Sequence, residues 1–390
     1  MQTGARYVTI DRSTVSLTYK WFGCSIFVLI VYIVCCMALA VTTYLRPYPT
    51  FDRYMYAGAV ASLRYSDPVT IHRIALAELE TQISPHRFDS VASEPYFADV
   101  HNNPNHFVQQ LPFFRIKLGY VAAGYVLWRA GVPILVALRL ISACCLFVIG
   151  LAVLALVHDA VLSFVLLLTP PVLNLGRMVT ADPLSTTLIF VALFALVRGR
   201  NLLSASLLLV SILVRSDNLI LAMILLAWMV WRRRIHLSFG AILGALAVFT
   251  AACVNHFADV YGWRVIMQHG FVKAEIEPIN HPVLITFTGY LHALGGLRMI
   301  AYSFMTIWIL VAAAVWKSLP RQSIFRELLP LAGVCIMLRL LIFPSFDDRL
   351  CVWTYLLAGA ALIHRAQLGV CTEARLPAAD KSKRGVMDTA

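Results

Sequence analysis

Long apolar runs separated by short polar segments make up most of the chain. Because a helix needs roughly 20 apolar residues to cross a bilayer, runs of this length predict an all-α polytopic membrane protein with about ten transmembrane helices. The spans from the third to the sixth are short. The predicted spans are residues 21–45, 133–157, 160–175, 184–197, 202–214, 219–231, 237–254, 299–316, 328–343 and 350–363.

The longest polar stretch lies between the first two spans, at residues 46–132, and is predicted to form the first outer loop. Residues 68–82 have helical character, since Ile71, Ile74, Ala75 and Leu79 fall on one side of a helix. Residues 84–110 are rich in Pro, Asn and His, and their prolines predict an irregular loop. An apolar stretch of about 36 residues after position 282 is too long for one crossing, so we expect an interfacial first part, a break at Gly295-Gly296 and a span from residue 299.

The apolar residues 113–129 fit either a span or a helix lying in the outer interface. As a span they would place Arg198, Arg200 and residues 232–234 outside, whereas an interfacial helix places these arginines inside, as the positive-inside rule requires. We therefore predict the interfacial helix. The resulting domains are a cytoplasmic tail (1–20), a transmembrane domain (21–368) and a basic cytoplasmic tail (369–390).

The composition agrees with a membrane protein, because 60% of residues are hydrophobic, 13% are charged and the mean hydropathy is +0.78. The net charge of +12 comes from Lys and Arg clustered at the ends of apolar runs. This distribution indicates topology control and contact with membrane lipids, and no nucleic acid partner is expected. The cysteine spacing matches neither a zinc site nor a disulfide framework, and no nucleotide-binding motif is present.

With this topology, a group of charged residues falls at the outer ends of the helices. Ionisable residues at membrane depth are costly, so their convergence points to a functional site facing a cavity. Each could instead reach the interface or pair with a neighbour. The group consists of Asp52, Arg53, Arg115, Lys117, Arg177, Asp182, Arg215, Asp217, Asp347, Asp348 and Arg349.

Several of these residues have a second interpretation. Asp182 could cap a helix that starts at Pro183, and Asp217 could cap the helix that follows it. Arg349 could bind a phosphate or pair with a neighbouring aspartate. Outside the group, Asp99, His101 and His106 could hold a metal, although their spacing matches no strong metal motif and solvated loop residues are the alternative.

Five short segments resemble the GT-C superfamily of membrane glycosyltransferases, which includes the protein O-mannosyltransferases and the aminoarabinose transferase that modifies lipid A. They are residues 51–56, 111–120, 177–184, 213–217 and 348–350. The resemblance covers most of the chain as architecture. It implies a GT-C-like bundle with interfacial helices in the first outer loop, and transfer of a sugar from a polyprenyl-phosphate donor.

The resemblance also implies residue roles. Asp52 and Asp182 correspond to the catalytic acids, and Arg115 or Lys117 to the basic residue that contacts the donor phosphate. Arg53 stands where many members have a second acid, so no metal ligands are assigned and a divalent cation stays an open possibility. Many members also carry a large soluble C-terminal domain that has no counterpart here.

Inverting transfer needs a carboxylate that takes the acceptor proton and cations that stabilise the departing phosphate. We expect Asp52 to be this base, and Arg215 and Arg349 to join the phosphate-binding cations. Acceptor-binding or accessory roles are expected for Tyr54, Arg177, Asp217 and Asp348.

The expected acceptor is a lipid, a glycan or a protein at the outer face of a bacterial plasma (inner) membrane. A transporter or a flippase for lipid-linked glycans is the main alternative, and a non-catalytic subunit of a polysaccharide assembly machine is a third. A cavity lined by Asp52, Asp182 and an arginine favours transfer, whereas a continuous central pathway favours transport.

Overall fold

The computed structural model describes residues 26–48, 50–81, 95–280, 285–344 and 347–373. Every regular element within these ranges is a helix, which confirms the all-α prediction. The predicted tail 1–20, the start of the first predicted span and most of the tail 369–390 lie outside the described residues.

The first apolar run forms α1 (Ile26–Leu45), and the described residues between it and the second run form six shorter helices. Several large apolar side chains of α1 are exposed, and Ile26 and Phe27 are more than 70% exposed. An exposed apolar helix surface of this kind suits contact with lipid. The shorter helices are α2 (Asp52–Ala61), α3 (Pro68–Glu80), α4 (Pro95–Asn102), α5 (Pro104–Gln110), α6 (Pro112–Arg115) and α7 (Leu118–Arg129).

The predicted helix at residues 68–82 is present as α3. The Asp67 side chain accepts a hydrogen bond from the Thr70 backbone N–H, and Pro68 occupies the first turn, so the start has two standard helix signals. Of the four residues predicted to share one side, Ile71, Ala75 and Leu79 are buried and Ile74 is partly buried.

The prediction of an irregular loop at residues 84–110 is wrong for residues 95–110, which form α4 and α5. The prolines start these helices because a first-turn residue needs no backbone N–H donor. Asn103 caps α5 by accepting hydrogen bonds from the Asn105 and His106 backbone N–H groups. Residues 84–94 lie outside the described residues.

The predicted interfacial segment 113–129 is broken at Lys117, between α6 and α7. The twelve residues of α7 span about 18 Å, well below the roughly 30 Å of a hydrocarbon core. Lys117, at this break, lines a cavity that also contains several charged residues.

From residue 134 onward the described chain consists mainly of helices, and most of them are longer than those at residues 52–129. These helices are α8 (Ile134–Val157), α9 (Ala160–Leu167), α10 (Pro170–Arg177), α11 (Asp182–Val197), α12 (Asn201–Val214), α13 (Asn218–Trp231), α14 (Leu237–Phe257), α15 (Trp263–Phe271), α16 (Phe287–Gly295), α17 (Phe304–Ser318), α18 (Phe325–Ile342) and α19 (Val352–Glu373).

Three predicted spans have different boundaries in the structure. Residues 160–175 are not one straight helix, because α9 and α10 meet at a bend of 66° where Pro170 and Pro171 interrupt the helix. The break at Gly295 is present, but a 3₁₀ segment follows and α17 begins only at Phe304, where Ser303 acts as its cap. The last helix runs on to Glu373.

Among the described residues, three helices, α1, α8 and α14, are long and apolar enough to cross a membrane, and the bent pair α9–α10 could form a fourth span. Four further apolar helices, α11, α12, α13 and α17, contain 14 to 16 residues. Membrane association and a helical bundle are therefore supported, while the number of ten crossings stays a prediction.

Two apolar clusters hold the helices together. The larger one joins α8 to α11, α12, α13 and α19, and the smaller one joins α2, α3, α5 and α7 to the start of α8. In the smaller cluster α2 lies so close to α5 that a Cβ atom at Gly58 would be 2.3 Å from Phe107 Cζ. The smaller cluster also includes Val179 and Val214, so it lies beside the links that carry the charged residues.

Candidate active site

A cavity of about 350 Å³ lies at the end of the bundle where α11 begins and α12 ends. Its volume is in the range of small-ligand sites. The cavity is lined by Asp52, Tyr56, Phe113, Phe114, Ile116, Lys117, Thr180, Asp182, Arg215, Ser216, Asp217, Ile266, His269, Gly270, Arg339, Phe343, Asp347, Arg349 and Leu350.

Asp182 and Asp217 are joined by Arg215, and the three side chains form the floor of this cavity. Arg215 Nη1 contacts Asp182 Oδ1, and its Nε and Nη2 atoms donate to the two carboxylate oxygens of Asp217 at 3.0 and 3.1 Å. Arg339 Nε, from α18, lies 3.0 Å from Asp217 Oδ2. Burial alone would raise the pKa of Asp217, but the Arg215 and Arg339 guanidiniums hold this pKa below its ordinary value.

The helix-capping alternatives for the two acids are wrong. Asp182 is itself the first residue of α11, and its side chain accepts from Thr180 Oγ1 at 2.9 Å instead of capping the helix. Asp217 does precede α13, but its side chain makes no capping hydrogen bond. Both carboxylates bind arginines instead: Asp182 binds Arg215 from the next link, and Asp217 binds Arg215 in its own link and Arg339 from α18.

Arg349 connects the floor of the cavity to α2 and carries the second part of the network. Its Nη1 atom is 3.0 Å from Asp52 Oδ2, and its Nε atom is 3.6 Å from Asp182 Oδ2 and 2.6 Å from Asp347 Oδ2. The guanidinium is thus shared by three carboxylates from separate parts of the chain. Arg349 pairs with aspartates and still lies on the cavity wall. Pairing with an aspartate and binding a phosphate, the two interpretations of Arg349, are therefore compatible.

Lys117 supplies a further cation on the wall formed by the α6–α7 link. Its ammonium group donates to the Phe113 carbonyl and lies 5.4 Å from the centre of the Phe114 ring. Burial, together with the nearby Arg215 charge, lowers the pKa of Lys117 to about 8, against the opposing effect of Asp52. Lys117 is therefore the cation at this site that titrates closest to neutral pH.

A roof over the cavity is formed by α15 and the segment after it. The His269 ring stacks on Phe113 with centroids 4.0 Å apart, and its Nδ1 atom accepts from the Glu275 backbone N–H at 3.2 Å. Burial lowers the pKa of His269 to about 4, so the ring is neutral at pH 7. Buried Gln110 fixes the segment by donating to the carbonyls of Glu275 and Ile276.

Six of the ten residues proposed from the sequence line this one cavity, namely Asp52, Lys117, Asp182, Arg215, Asp217 and Arg349. The other four, Tyr54, Arg115, Arg177 and Asp348, are not among its lining residues.

Each of these four has a different neighbour. Tyr54 is buried against Phe107, and Arg115 lies 3.6 Å from Asp259. Arg177 stacks on Tyr48, with 4.1 Å between its guanidinium carbon and the ring centre. Asp348 accepts a hydrogen bond from the Tyr355 hydroxyl.

A divalent cation does not fit the donor set of the cavity. Asp52, Asp182, Asp217 and Asp347 each contact an arginine, so a cation bound to any of them would lie beside a guanidinium. Arg53, the residue that departs from the family pattern, is 3% exposed and does not line the cavity.

The histidine-rich segment has its own arrangement. His106 is held between Asp99 at Nδ1 and Glu277 at Nε2, the latter at 2.8 Å. Among the described residues, no group of three or more His, Cys, Asp or Glu side chains is placed to hold a metal.

Several cavity residues were not identified from the sequence. Tyr56 and Phe113 lie in segments that resemble the GT-C superfamily but had no predicted role. Arg339 lies inside an apolar stretch, and His269 lies in a mixed polar and apolar segment between two predicted spans. Arg339 could have been identified from the sequence, because a charged residue in an otherwise apolar run indicates a functional site. No family model, curated protein or solved structure matches the chain.

Proposed function

We propose that the protein is a membrane glycosyltransferase of the GT-C type, which moves a sugar from a polyprenyl-phosphate donor to a hydroxyl group of a lipid, glycan or protein. The observation that carries this proposal is the cavity in which Asp52 contacts Arg349, with Arg215 and Lys117 on the same walls. A carboxylate beside several cations is what transfer from a phosphate leaving group requires.

The proposed reaction is a single inverting displacement. The acceptor oxygen attacks the anomeric carbon, the bond from that carbon to the phosphate oxygen breaks, and polyprenyl phosphate leaves with the electron pair. The acceptor proton goes to the Asp52 carboxylate. Asp52 suits this role better than Asp182, because its side chain is 28% exposed while that of Asp182 is 5% exposed.

The departing phosphate is stabilised by the cations of the cavity. Arg349 is held by Asp182 and Asp347 as well as by Asp52, so it stays in place when a phosphate takes over its contact with Asp52. Asp182 is then a positioning residue, since it binds both Arg215 and Arg349. A phosphate bound to Arg349 would also free the Asp52 carboxylate from this arginine, so that Asp52 can accept the acceptor proton.

The aromatic walls offer a surface for the sugar. Phe113, Phe114, Tyr56 and Phe343 surround the charged residues, and His269 is stacked on Phe113. In the proposed orientation the cavity opens to the outer face, the helices make ten crossings and both termini are cytoplasmic, in the plasma (inner) membrane of a bacterium.

Transport is the alternative that must be distinguished. The charged cavity lies at one end of α11, α12 and α13, whereas a transporter is expected to place its charges near the bilayer midplane. This position favours transfer at a membrane surface over passage through the bundle.

The test uses purified protein in liposomes, supplied with a panel of polyprenyl-phosphate sugars carrying a labelled sugar and with envelope lipids, glycans and proteins as acceptors. We expect label to move to an acceptor while polyprenyl phosphate accumulates in equal amount. Movement of intact labelled donor across the bilayer, with no labelled acceptor, would instead support a flippase.

The matched variants are Arg349→Gln and, as the control, Arg321→Gln, an exposed arginine outside the cavity. Loss of one preorganised donor to a transition-state charge costs about 10²- to 10³-fold in rate. We therefore expect a loss of this size for Arg349→Gln and none for Arg321→Gln, with melting temperatures checked for both.

A further inference from the structure

A second cavity, of about 460 Å³, lies at the opposite end of the helices that carry the charged site. Its wall contains three basic residues, Arg200, Arg234 and His236, beside the apolar Leu202, Leu203 and Phe239. We propose that this cavity binds an anionic phospholipid, with the lipid phosphate between Arg200 and Arg234. The proposal does not depend on the glycosyltransferase reaction.

The two cavities are separated by the length of the short helices. The helix α11 runs from Asp182, on the first cavity, to Val197, and α12 runs from Asn201 back to Val214, next to Arg215. Sixteen residues of α11 span about 24 Å. A ligand of the second cavity is therefore outside the reach of the groups that surround Asp52.

Two helix N-termini add positive potential to the second cavity. The helix α12 begins beside Arg200 and α14 begins beside His236, and neither residue makes a side-chain capping hydrogen bond. Uncapped backbone N–H groups at a helix N-terminus favour an anion, and phosphate is a common one. Here they coincide with two guanidiniums in a cavity of sufficient size for a headgroup.

Arg234 is fixed in an orientation that suits a ligand. Its Nη1 atom donates to the Leu196 carbonyl at 3.0 Å, and its guanidinium carbon lies 4.8 Å from the centre of the Trp228 ring. The Asn201 amide donates to the Arg234 carbonyl at 3.1 Å, which joins the two walls of the cavity. The guanidinium is thus preorganised, so little ordering is needed when an anion binds.

Neither arginine is in an ion pair with a described residue, although the Glu327 charge acts on Arg234 from a distance. Within the described ranges no ion pair includes Arg200 or Arg234, and the nearby Glu327 carboxylate is bound by Arg232 at 2.8 Å and by the Trp228 indole at 2.9 Å. This contrasts with the first cavity, where every aspartate of the network contacts an arginine. The second cavity therefore has two guanidiniums outside any ion pair of the described residues, with which an external anion can pair.

The apolar residues identify that anion as a lipid. Leu202 is 62% exposed and Leu237, at the start of α14, is 73% exposed. Along α14 the exposed Phe239, Ile242, Leu246 and Phe249 recur at helical spacing, so an acyl chain has an apolar surface to follow from the cavity. A free phosphate would use the arginines but not this surface.

The test measures binding of phosphatidylglycerol to the full-length protein in a zwitterionic detergent, by native mass spectrometry and by the shift in melting temperature. Phosphatidylcholine and inorganic phosphate serve as competing probes. We expect phosphatidylglycerol to bind preferentially. Equal binding of phosphatidylcholine, or equal protection by inorganic phosphate, would overturn the proposal.

The variant Arg200→Gln/Arg234→Gln should bind phosphatidylglycerol about 25-fold more weakly, since each basic residue near an anionic lipid contributes about fivefold. The control, Lys317→Gln/Arg321→Gln, removes the same charge from exposed residues outside the cavity and should bind within about twofold of wild type. Equal losses in the two variants would show general surface attraction and contradict a built site.

The single variant Arg200→Gln controls for a folding defect, because Arg200 is exposed and is in no ion pair with a described residue. It should weaken binding about fivefold without changing the melting temperature of lipid-free protein. Unchanged binding in this variant would contradict the assignment of Arg200.

Discussion

Arg349 Nη1 lies 3.0 Å from Asp52 Oδ2, although the two residues are almost 300 positions apart in the chain. The contact joins α2 to the link before α19 and brings a candidate base next to a candidate phosphate ligand. In the proposed reaction this pair must separate, because the phosphate takes over the guanidinium while the acceptor hydroxyl takes over the carboxylate.

Asp217 is predicted to be essential for stability. Its carboxylate binds the mostly buried Arg215 and Arg339, and Asp217→Asn removes this partner from both, so that Arg215 keeps only Asp182. Removing one member of a buried ion pair costs about 3–5 kcal/mol, so we expect the free energy of unfolding to fall by this amount. Asp67→Asn is the control, because asparagine caps a helix as well as aspartate does.

The pH dependence of this effect has a definite sign. Because the folded protein holds the pKa of Asp217 below its ordinary value, the stabilisation is present above about pH 4 and is lost as the pH falls further. The difference between wild type and Asp217→Asn should therefore shrink in acid. A difference that stays constant from pH 7 to pH 3 would contradict the ion-pair assignment.

Lys117 is predicted to make donor binding pH-dependent. Its pKa of about 8 means that the ammonium form dominates below this pH and declines above it. Donor affinity should be constant from pH 6 to 7.5 and then fall by up to tenfold per pH unit. Lys117→Met should bind the donor weakly and lose the pH dependence, as measured by titration with a polyprenyl-phosphate sugar.

Arg177 is predicted to affect stability and not substrate use. It stacks on Tyr48 and donates to the Arg46 carbonyl at 2.8 Å, and it does not line the cavity. Arg177→Gln should lower the free energy of unfolding by about 1–2 kcal/mol and leave the KM for the donor unchanged. A raised KM for the donor at unchanged stability would contradict this prediction and indicate that Arg177 contacts the substrate.

The convergence of charged residues could be predicted from the sequence because it follows from topology. Once residues 113–129 are not counted as a crossing, Asp52, Asp182, Asp217 and Arg349 all fall at the same end of the helices, and all four line one cavity. The hydrophobic pattern also predicts α1, α8 and α14 as helices of spanning length.

Local signals did not predict which side chains the acids contact. Asp182 and Asp217 stand where capping residues are common, yet arginines from distant segments bind them. His269 in the roof stacks on Phe113, and Gln110 binds the roof segment at Glu275; both contacts depend on tertiary structure. Prolines that suggested an irregular loop start α4 and α5, because proline both ends and begins helices.

The most direct test of the proposed function is the turnover of Asp52→Asn, measured as formation of labelled acceptor at saturating polyprenyl-phosphate sugar, beside wild type and Asp67→Asn. Loss of a general base costs about 10²- to 10⁴-fold in kcat, while donor affinity should not weaken because Arg349 is freed from a competing carboxylate. A kcat for Asp52→Asn within twofold of wild type would contradict the assignment of Asp52 as the base.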